Sequence, residues 1–533
     1  MTQSQITRSR VMRRIGVAVA ATIAITTMAS TGSQAASKPH ASKYGGEVKV
    51  GIFDTFPGFC VGNNPANSAL MATRTVYETL FEKTRGNDFV GLLAKSGTPS
   101  GDLKTWTIEL RSGIKFHNGE ALNAAAMVTN YLNSSGMNFL GVAAVKGAAA
   151  ATAAYGHTLG TAVPFQSNIL KATAVGETTV VYTLDRPQND FLGTLYASGR
   201  GFVRAPAQLI DKTTCSGNPI GTGPFKAVSF TTDEMIVAKN ADYWRTDPVT
   251  GNKLPYIDKI TFTNIKESSS RQSAVQTGTI DAAMFSGASE GQYIQALRKQ
   301  KNLTEYKSPA EYYPSLWLNQ GKPGSPFANK NARLALLTCI DRVNYAKVRG
   351  KGETTVAKSL VGPKSDMYST SGFSKFDVKA STAYVAAYKK ETGKTSLTFS
   401  MPSDQSSASQ ANAKFLTEQW KKCGITANTV VEEGAVIIAK AFNAAPKVAA
   451  GEYYNAYDMI PILLFEGTDV TFNLPFVVTN AFPATSTSPV KALFQNSVGV
   501  VLSLNHHSDT AVDTIFYAGQ AAQTRTGAKV KYK

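Results

Sequence analysis

The sequence predicts an α/β protein of two or more lobes. Two observations carry this. After the N-terminal 35 residues, about 500 remain, too many for a single hydrophobic core. Short alternating apolar stretches also keep trading places with stretches of helical spacing along the whole chain, the pattern of mixed α/β layers.

The elements follow in order. Gly46 to Phe53 alternates and reads as the first strand. Asn67 to Phe81 places Leu70, Met71, Val76, Tyr77, Leu80 and Phe81 at helical spacing. Thr105 to Leu110 alternates as a strand, and Ser112-Gly113 and Asn118-Gly119 turn the chain after it. Asn123 is placed to cap a helix over Ala124 to Asn133. Residues 140–160 are rich in Ala and Gly and read as a close-packed small-residue helix. Further strands are expected over Thr178 to Leu184, Met235 to Lys239 and Ile257 to Asn264. Tyr312 to Asn319 is aromatic and strand-like, and a turn-rich run follows from Gly321 to Ser325. Asn331 to Lys347 reads as one helix, Leu397 to Met401 as a strand, and Ala413 to Cys423 as a helix ended by Gly424. No internal repeat is present.

The N-terminus reads as an export signal. Arg8, Arg10, Arg13 and Arg14 form a basic region, Ile15 to Met28 is apolar and uncharged, and Ser33-Gln-Ala35 is a small-x-small cleavage site. The apolar run is shorter than the roughly 20 residues of a spanning helix. Cleavage leaves a mature start at Ala36 and a flexible leader over residues 36–43. The first cysteine is Cys60, so no lipid-attachment cysteine follows the cleavage site. The expected location is periplasmic or extracellular. Arg13-Arg14 leaves the choice between the general and the twin-arginine export route open.

The formal charge is +18, and +14 once the four signal arginines are gone. The cations are scattered, with no run of four, so the charge speaks for solubility and against nucleic acid. Four cysteines, Cys60, Cys215, Cys339 and Cys423, lie far apart without a CxxC pair, which argues against zinc. In an exported chain they can form disulfides, with three pairings possible. His506-His507 lacks neighbouring ligands, and adjacent histidines on a strand face opposite ways, so no metal or cofactor is expected.

One catalytic reading competes. Gly287-Ala-Ser-Glu-Gly291 matches a G-x-S-x-G nucleophile elbow between a strand-like segment (Ala282 to Phe285) and a helical one (Gln292 to Lys299). Asp469 and His506 follow in hydrolase order, which would make Ser289 a nucleophile. Against it stand the abundance of Gly and Ser and the absence of a Gly-rich oxyanion motif upstream.

Several segments together carry a resemblance. They are Tyr77-Glu-Thr-Leu-Phe81, Leu110 to Leu122 with its Phe116-His117-Asn-Gly119 turn, and Gly221-Thr-Gly-Pro-Phe225. Asn240-Ala-Asp-Tyr-Trp244, Pro255-Tyr-Ile-Asp258, Asn331 to Ala335 and Ile340-Asp-Arg342 complete the set. In this order and spacing the chain resembles the family 5 extracytoplasmic solute-binding proteins of ABC importers, which bind oligopeptides, dipeptides or nickel chelates. The resemblance implies a periplasmic-binding-protein-like fold with a ligand cleft between hinged lobes, no catalysis, and a monomer that delivers peptides or similar polar solutes to a membrane permease. It divides the chain into lobe I over residues 44–309, with a minor subdomain near 90–215, and lobe II over 310–533. Cys60–Cys215 and Cys339–Cys423 are the pairings that stay within one lobe and leave hinge motion free.

The motif segments themselves read as scaffold: Gly113, Gly119, Gly221 and Gly223 as turns and close approaches, His117 as a structural hydrogen-bonding residue, Asp341-Arg342 as a helix cap. The expected ligand contacts are Phe56 and Phe59 on the loop after the first strand, Tyr312, Tyr313, Trp317 and Asn319 at the lobe crossing, and Glu466 and Asp469 as partners for a cationic group. Three departures from the family pattern stand out. Ala126 occupies a usual Asp position. The Gly-Trp and following Asp of peptide binders has only Glu466 or Asp469 as an approximate match. The chain also ends sooner than the family's, so the final return to lobe I is expected to be missing. A non-transport binding or sensing module is the remaining alternative.

Overall fold

The computed structural model describes residues 3–8, 43–60, 67–84, 88–134, 168–210, 215–307, 314–359, 361–363, 365–442, 457–463, 487, 504–507 and 509–532. The Ala- and Gly-rich stretch over residues 140–160 lies outside them.

Among the described residues, the N-terminal half builds two large sheets and a short two-stranded one, Phe81–Lys83 with Phe89–Gly91. The larger has seven strands, in the order Leu303–Lys307, Gln3–Arg8, Ala282–Ser286, Glu47–Ile52, Lys259–Asn264, Glu234–Lys239 and Phe225–Phe230. The Glu47–Ile52 strand is parallel to both of its neighbours, and its last three residues are buried. A strand buried between parallel neighbours needs a continuous apolar end, which Val50-Gly-Ile52 supplies. A second, four-stranded sheet is antiparallel, in the order Ala94–Pro99, Thr105–Leu110, Thr179–Leu184 and Ile169–Val175. Thr105–Leu110 buries every second residue, Trp106, Ile108 and Leu110, against the Ala124–Ser134 helix and Phe191.

Gln3–Arg8 runs antiparallel to both Ala282–Ser286 and Leu303–Lys307. The sequence reads this segment as the start of an export signal. Here it satisfies two strand edges that would otherwise face each other with open backbone groups.

The C-terminal half has its own core. Leu397–Asp404 and Ile425–Glu432 pair in parallel through the connecting helix Ser407–Lys422. Pro314–Leu318 pairs antiparallel with Met459–Leu463. Trp420, fully buried, and Phe327 both set their rings edge-on to Phe399. Two further helices, Thr510–Gln520 and Arg525–Tyr532, pack on Val361 and Met367. They also reach the first half: Asn189 donates to the carbonyls of Gly519 (3.0 Å) and Ala522 (2.9 Å).

Several sequence-read boundaries move, each for a physical reason. The first helix stops at Val76, because the Val76 carbonyl accepts the Gly223 amide and the chain turns there. The helix expected over Asn331 to Lys347 is two helices, Lys330–Thr338 and Arg342–Val348. Asp341 breaks it by accepting the Asn344 amide at 2.9 Å as an N-cap. The Ser407–Lys422 helix begins six residues before the sequence signal, where the Ser406 hydroxyl accepts the Ser409 amide.

Cys60 is bonded to Cys215 and Cys339 to Cys423, across separations of 155 and 84 residues. Each bond ties elements of one half only. Replacing Cys339 and Cys423 together by Ser is expected to cost about 2–5 kcal/mol in a urea melt. An unchanged midpoint would show that the second core does not use this link.

Candidate functional site

The loop that leaves the first strand is fixed at every step. Arg271, fully buried, lies between the rings of Phe53 (5.2 Å) and Phe285 (5.1 Å). Its guanidinium pairs with Glu290 and donates to the carbonyls of Ile265 (2.5 Å), Lys266 (2.8 Å) and Met284 (3.1 Å). Asp54 accepts both the amide (2.7 Å) and the hydroxyl (2.6 Å) of Ser68, at the start of the Asn67–Val76 helix. Phe56 and Phe59 point into the core, where both stack on Phe230. Cys60 then anchors the loop through its disulfide.

Glu78 organises the next layer. Its buried carboxylate accepts Tyr243 Oη at 2.7 Å, Trp244 Nε1 at 2.8 Å and Thr222 Oγ1 at 2.9 Å. Burial pushes its pKa up, and the three donors pull it back toward the charged form. Three separate sequence motifs therefore meet on one side chain. The glycines beside Thr222 belong to the same contact. A Cβ on Gly221 would lie 2.1 Å from the Val76 carbonyl oxygen, and one on Gly223 would lie 2.5 Å from that of Thr75. Only glycine permits this approach.

His117 joins the same Gly221–Gly223 loop. Its Nε2 lies 3.0 Å from the Gly223 carbonyl, and its Nδ1 accepts the Gly221 amide. That pair of bonds requires a neutral ring protonated on Nε2. Burial lowers the His117 pKa to about 4.

The expected ligand contacts divide into three groups. Phe56 and Phe59 are core residues, so the reading of these two rings as open ligand contacts is replaced by packing. Trp317 is buried on the Pro314–Leu318 strand, and Asn319 is spent on structure. The Asn319 amide donates to the Tyr457 carbonyl (3.0 Å) and accepts the amides of Gly321 and Lys322. Tyr312, Tyr313, Glu466 and Asp469 lie outside the described residues.

Ser289 sits in the turn before the Gly291–Arg298 helix, its amide on the Ser286 carbonyl. Its neighbour Glu290 is engaged by Arg271 and Ser268. His506 is placed elsewhere, against Gly321 in the C-terminal half. Among the described residues no group of His, Cys, Asp and Glu could hold a metal, and no helix is long and apolar enough to cross a membrane.

The two halves also touch directly. Ser407 donates to Glu267 at 3.1 Å, Gln295 donates to the Lys351 carbonyl at 2.6 Å, and Arg298 pairs with Glu353 at 2.7 Å. Neither Arg271–Glu290 nor Arg298–Glu353 leaves a mark in the sequence, because the partners are far apart. Glu78 does leave one: it is a lone acid inside an otherwise apolar run, Val76-Tyr-Glu-Thr-Leu-Phe81.

A family model, bacterial extracellular solute-binding proteins, family 5 middle region, matches residues 88–467. The chain belongs to this family. Family 5 folds also account for the two-lobed arrangement. The oligopeptide-binding protein AppA of Bacillus subtilis, in complex with a nonapeptide, superposes with a TM-score of 0.71 at 17% identity, covering 92% of this chain and 90% of that one. DppA of Helicobacter pylori, in complex with the peptide STSA, gives 0.69 at 19% identity, covering 92% and 90%. NikA of Staphylococcus aureus, with Ni(L-His)2, gives 0.68 at 15% identity, covering 91% and 89%. In sequence, the glutathione-binding protein GsiB of Escherichia coli O1:K1 / APEC is 30% identical over 295 residues. That match takes in 54% of this chain and 51% of GsiB, so the chain spans about half the length of the curated relatives it matches.

Glu78→Ala in this family 5 protein is expected to cost about 3 kcal/mol or more, because it strands buried donors. Glu78→Gln should cost much less, since it keeps an acceptor and removes a desolvated charge. Equal costs in urea melts would remove the carboxylate from this organising role. A second expectation concerns acid. The folded-state pKa of His117 lies near 4, below the unfolded value of about 6.5, so the unfolded chain binds the extra proton between these values. Stability from this group is complete above about pH 6.5 and is lost as pH falls toward 4, with a slope up to about 1.4 kcal/mol per pH unit. His117→Gln should flatten that part of the stability–pH curve; an unchanged slope would assign it to other groups.

Proposed function

We propose that this protein is the extracytoplasmic capture component of an ABC importer, taking up peptides or similar polar organic solutes. The observation that carries the reading is family 5 membership joined to a two-lobed fold whose neighbours hold peptides. Lobe I is assigned to residues 44–309, with a minor subdomain near 90–215, and lobe II to 310–533. Ligand between the lobes contacts both only when they close, so it favours the closed form. A membrane permease then receives that form. The protein breaks no bond. Ser289 is a turn residue beside the Arg271–Glu290 pair, and the relatives named above are binding proteins.

The ligand contacts assigned to the cleft are Tyr312, Tyr313, Glu466 and Asp469. Two rings with two carboxylates suit an extended ligand bearing an ammonium group: the rings cover apolar stem and the acids pair the charge. Glutathione and short peptides share that feature.

Export by the N-terminal signal, with cleavage after Ala35, removes Gln3–Arg8 from the seven-stranded sheet. The processed protein, from Ala36 to Lys533, is therefore expected to melt below the full chain.

The test is a thermal melt of both forms with glutathione, with pooled tri- to pentapeptides, and alone. A ligand bound only by the native state raises the midpoint, by about 2.7 kcal/mol of stabilisation at a hundredfold excess over Kd. A dose-dependent rise with either ligand, reduced at least about tenfold in affinity by Asp469→Ala, supports the reading. Melts that ignore both ligands would overturn the proposed solute class.

A further inference from the structure

The Gly287-Ala-Ser-Glu-Gly291 segment matches a catalytic motif, but His506 lies elsewhere, against Gly321, and Gly291 has another explanation. The Gly291–Arg298 helix belongs to the N-terminal lobe. Its first residue faces the turn that follows the Arg342–Val348 helix of the other lobe. A Cβ on Gly291 would lie 2.2 Å from the Gly350 carbonyl oxygen, 2.7 Å from its carbon and 3.1 Å from Lys351 Cβ. Every one of those atoms is in the opposite lobe. From the other side, a Cβ on Gly350 would lie 3.2 Å from the Gly287 carbonyl oxygen. At Gly291 and Gly350 the two lobes thus approach glycine to glycine, with Lys351 Cβ as the nearest side-chain atom of the other lobe.

The same helix continues the contact along its length. One turn on, Gln295 donates to the Lys351 carbonyl at 2.6 Å. At the end, Arg298 uses Nη1 and Nη2 on the two oxygens of Glu353, each at 2.7 Å. It also reaches Glu305 of its own lobe at 2.8 and 3.0 Å. Lys307 adds a second cation 3.4 Å from Glu353. The Glu353 side chain is only 6% exposed, and Arg298 holds its carboxyl below the usual range. Bidentate pairs of this kind fix orientation as well as proximity. The cluster also lies beside the first crossing between lobes, since Leu303–Lys307 directly precedes it in the chain.

We infer that this contact is the fulcrum of lobe motion: Gly291 and Gly350 form a bare-backbone pivot, and Arg298–Glu353 is the ionic tether that keeps the lobes seated on it. The inference rests on the hinge-closure reading, and its test needs no ligand. A glycine-to-glycine contact lets two rigid bodies rock with little steric change, while a charged fork at its edge limits sliding. Two features of the G-x-S-x-G pattern then follow from packing: Glu290 is held by Arg271, and Gly291 is left bare for the approach.

Gly291→Ala is a clean probe. Gly291 does not adopt a left-handed conformation, and Ala favours a helix over Gly by about 1 kcal/mol. Its own lobe gains nothing unfavourable, while the added methyl must push the opposite backbone away by about 1 Å to reach ordinary contact. That displacement at the pivot grows toward the lobe tips. All four cysteines are disulfide-bonded, so nitroxides can be placed through Val249→Cys and Val343→Cys, two exposed positions in opposite lobes. The distance between them is read by pulsed electron paramagnetic resonance in the full, ligand-free chain. The expected result is a shifted mean distance for Gly291→Ala with an unchanged melt. Glu353→Gln adds no bulk and tests the tether separately. It should broaden the distribution at low salt to the width the parent reaches in high salt. Distributions that coincide with the parent in Gly291→Ala, or in Glu353→Gln at low salt, would overturn the fulcrum. Because no ligand is present, those results are independent of whether peptides bind.

Discussion

The first lobe depends on a single buried carboxylate. Glu78 brings Thr222, Tyr243 and Trp244 onto two oxygens, and it does so where the backbone of residues 75–76 meets Gly221 and Gly223 with no room for a side chain. A charge in such a place is costly unless its acceptor capacity is filled. Once filled, it is a strong positional constraint, because the bonds lose most of their strength with small displacements. His117 extends the constraint from the other side of the same glycine loop. The four-stranded sheet and the seven-stranded sheet are therefore locked to one another by polar contacts as well as by apolar packing.

The loop after the first strand shows how such a scaffold fixes a connection from both ends. Arg271 and Asp54 hold its start, and Phe56, Phe59 and Cys60 hold its end. The second lobe is stiffened in a parallel way by Trp420, Phe399 and the Cys339–Cys423 bond. The two halves meet at the Gly291–Gly350 approach, at the Arg298–Glu353 pair, at the Ser407–Glu267 bond and where Asn189 reaches the C-terminal helices.

Much of the strand and helix content was legible along the chain. Thr105–Leu110 alternates because one face is buried and the other is not. Asn123 and Asp341 cap helices for the local reasons their positions suggest. The boundaries that moved are those set from a distance. The first helix ends early because of Gly223, nearly 150 residues away. The candidate site was less legible. Phe56, Phe59, Trp317 and Asn319 have the chemistry of ligand contacts and are used in the interior, and composition alone does not separate these two uses of an aromatic or an amide.

The sequence by itself determined the α/β class, the family motifs, and the residue types that caps and tight turns require, because these rest on interactions within a few residues or on steric rules of one residue. Only the tertiary structure decided which motif residues share a partner, which rings face inward, and where the lobes touch. Glu78 with Tyr243, Arg271 with Glu290 and Arg298 with Glu353 are each made by chain segments that approach after folding. Their energies depend on burial and on distances that no local pattern encodes.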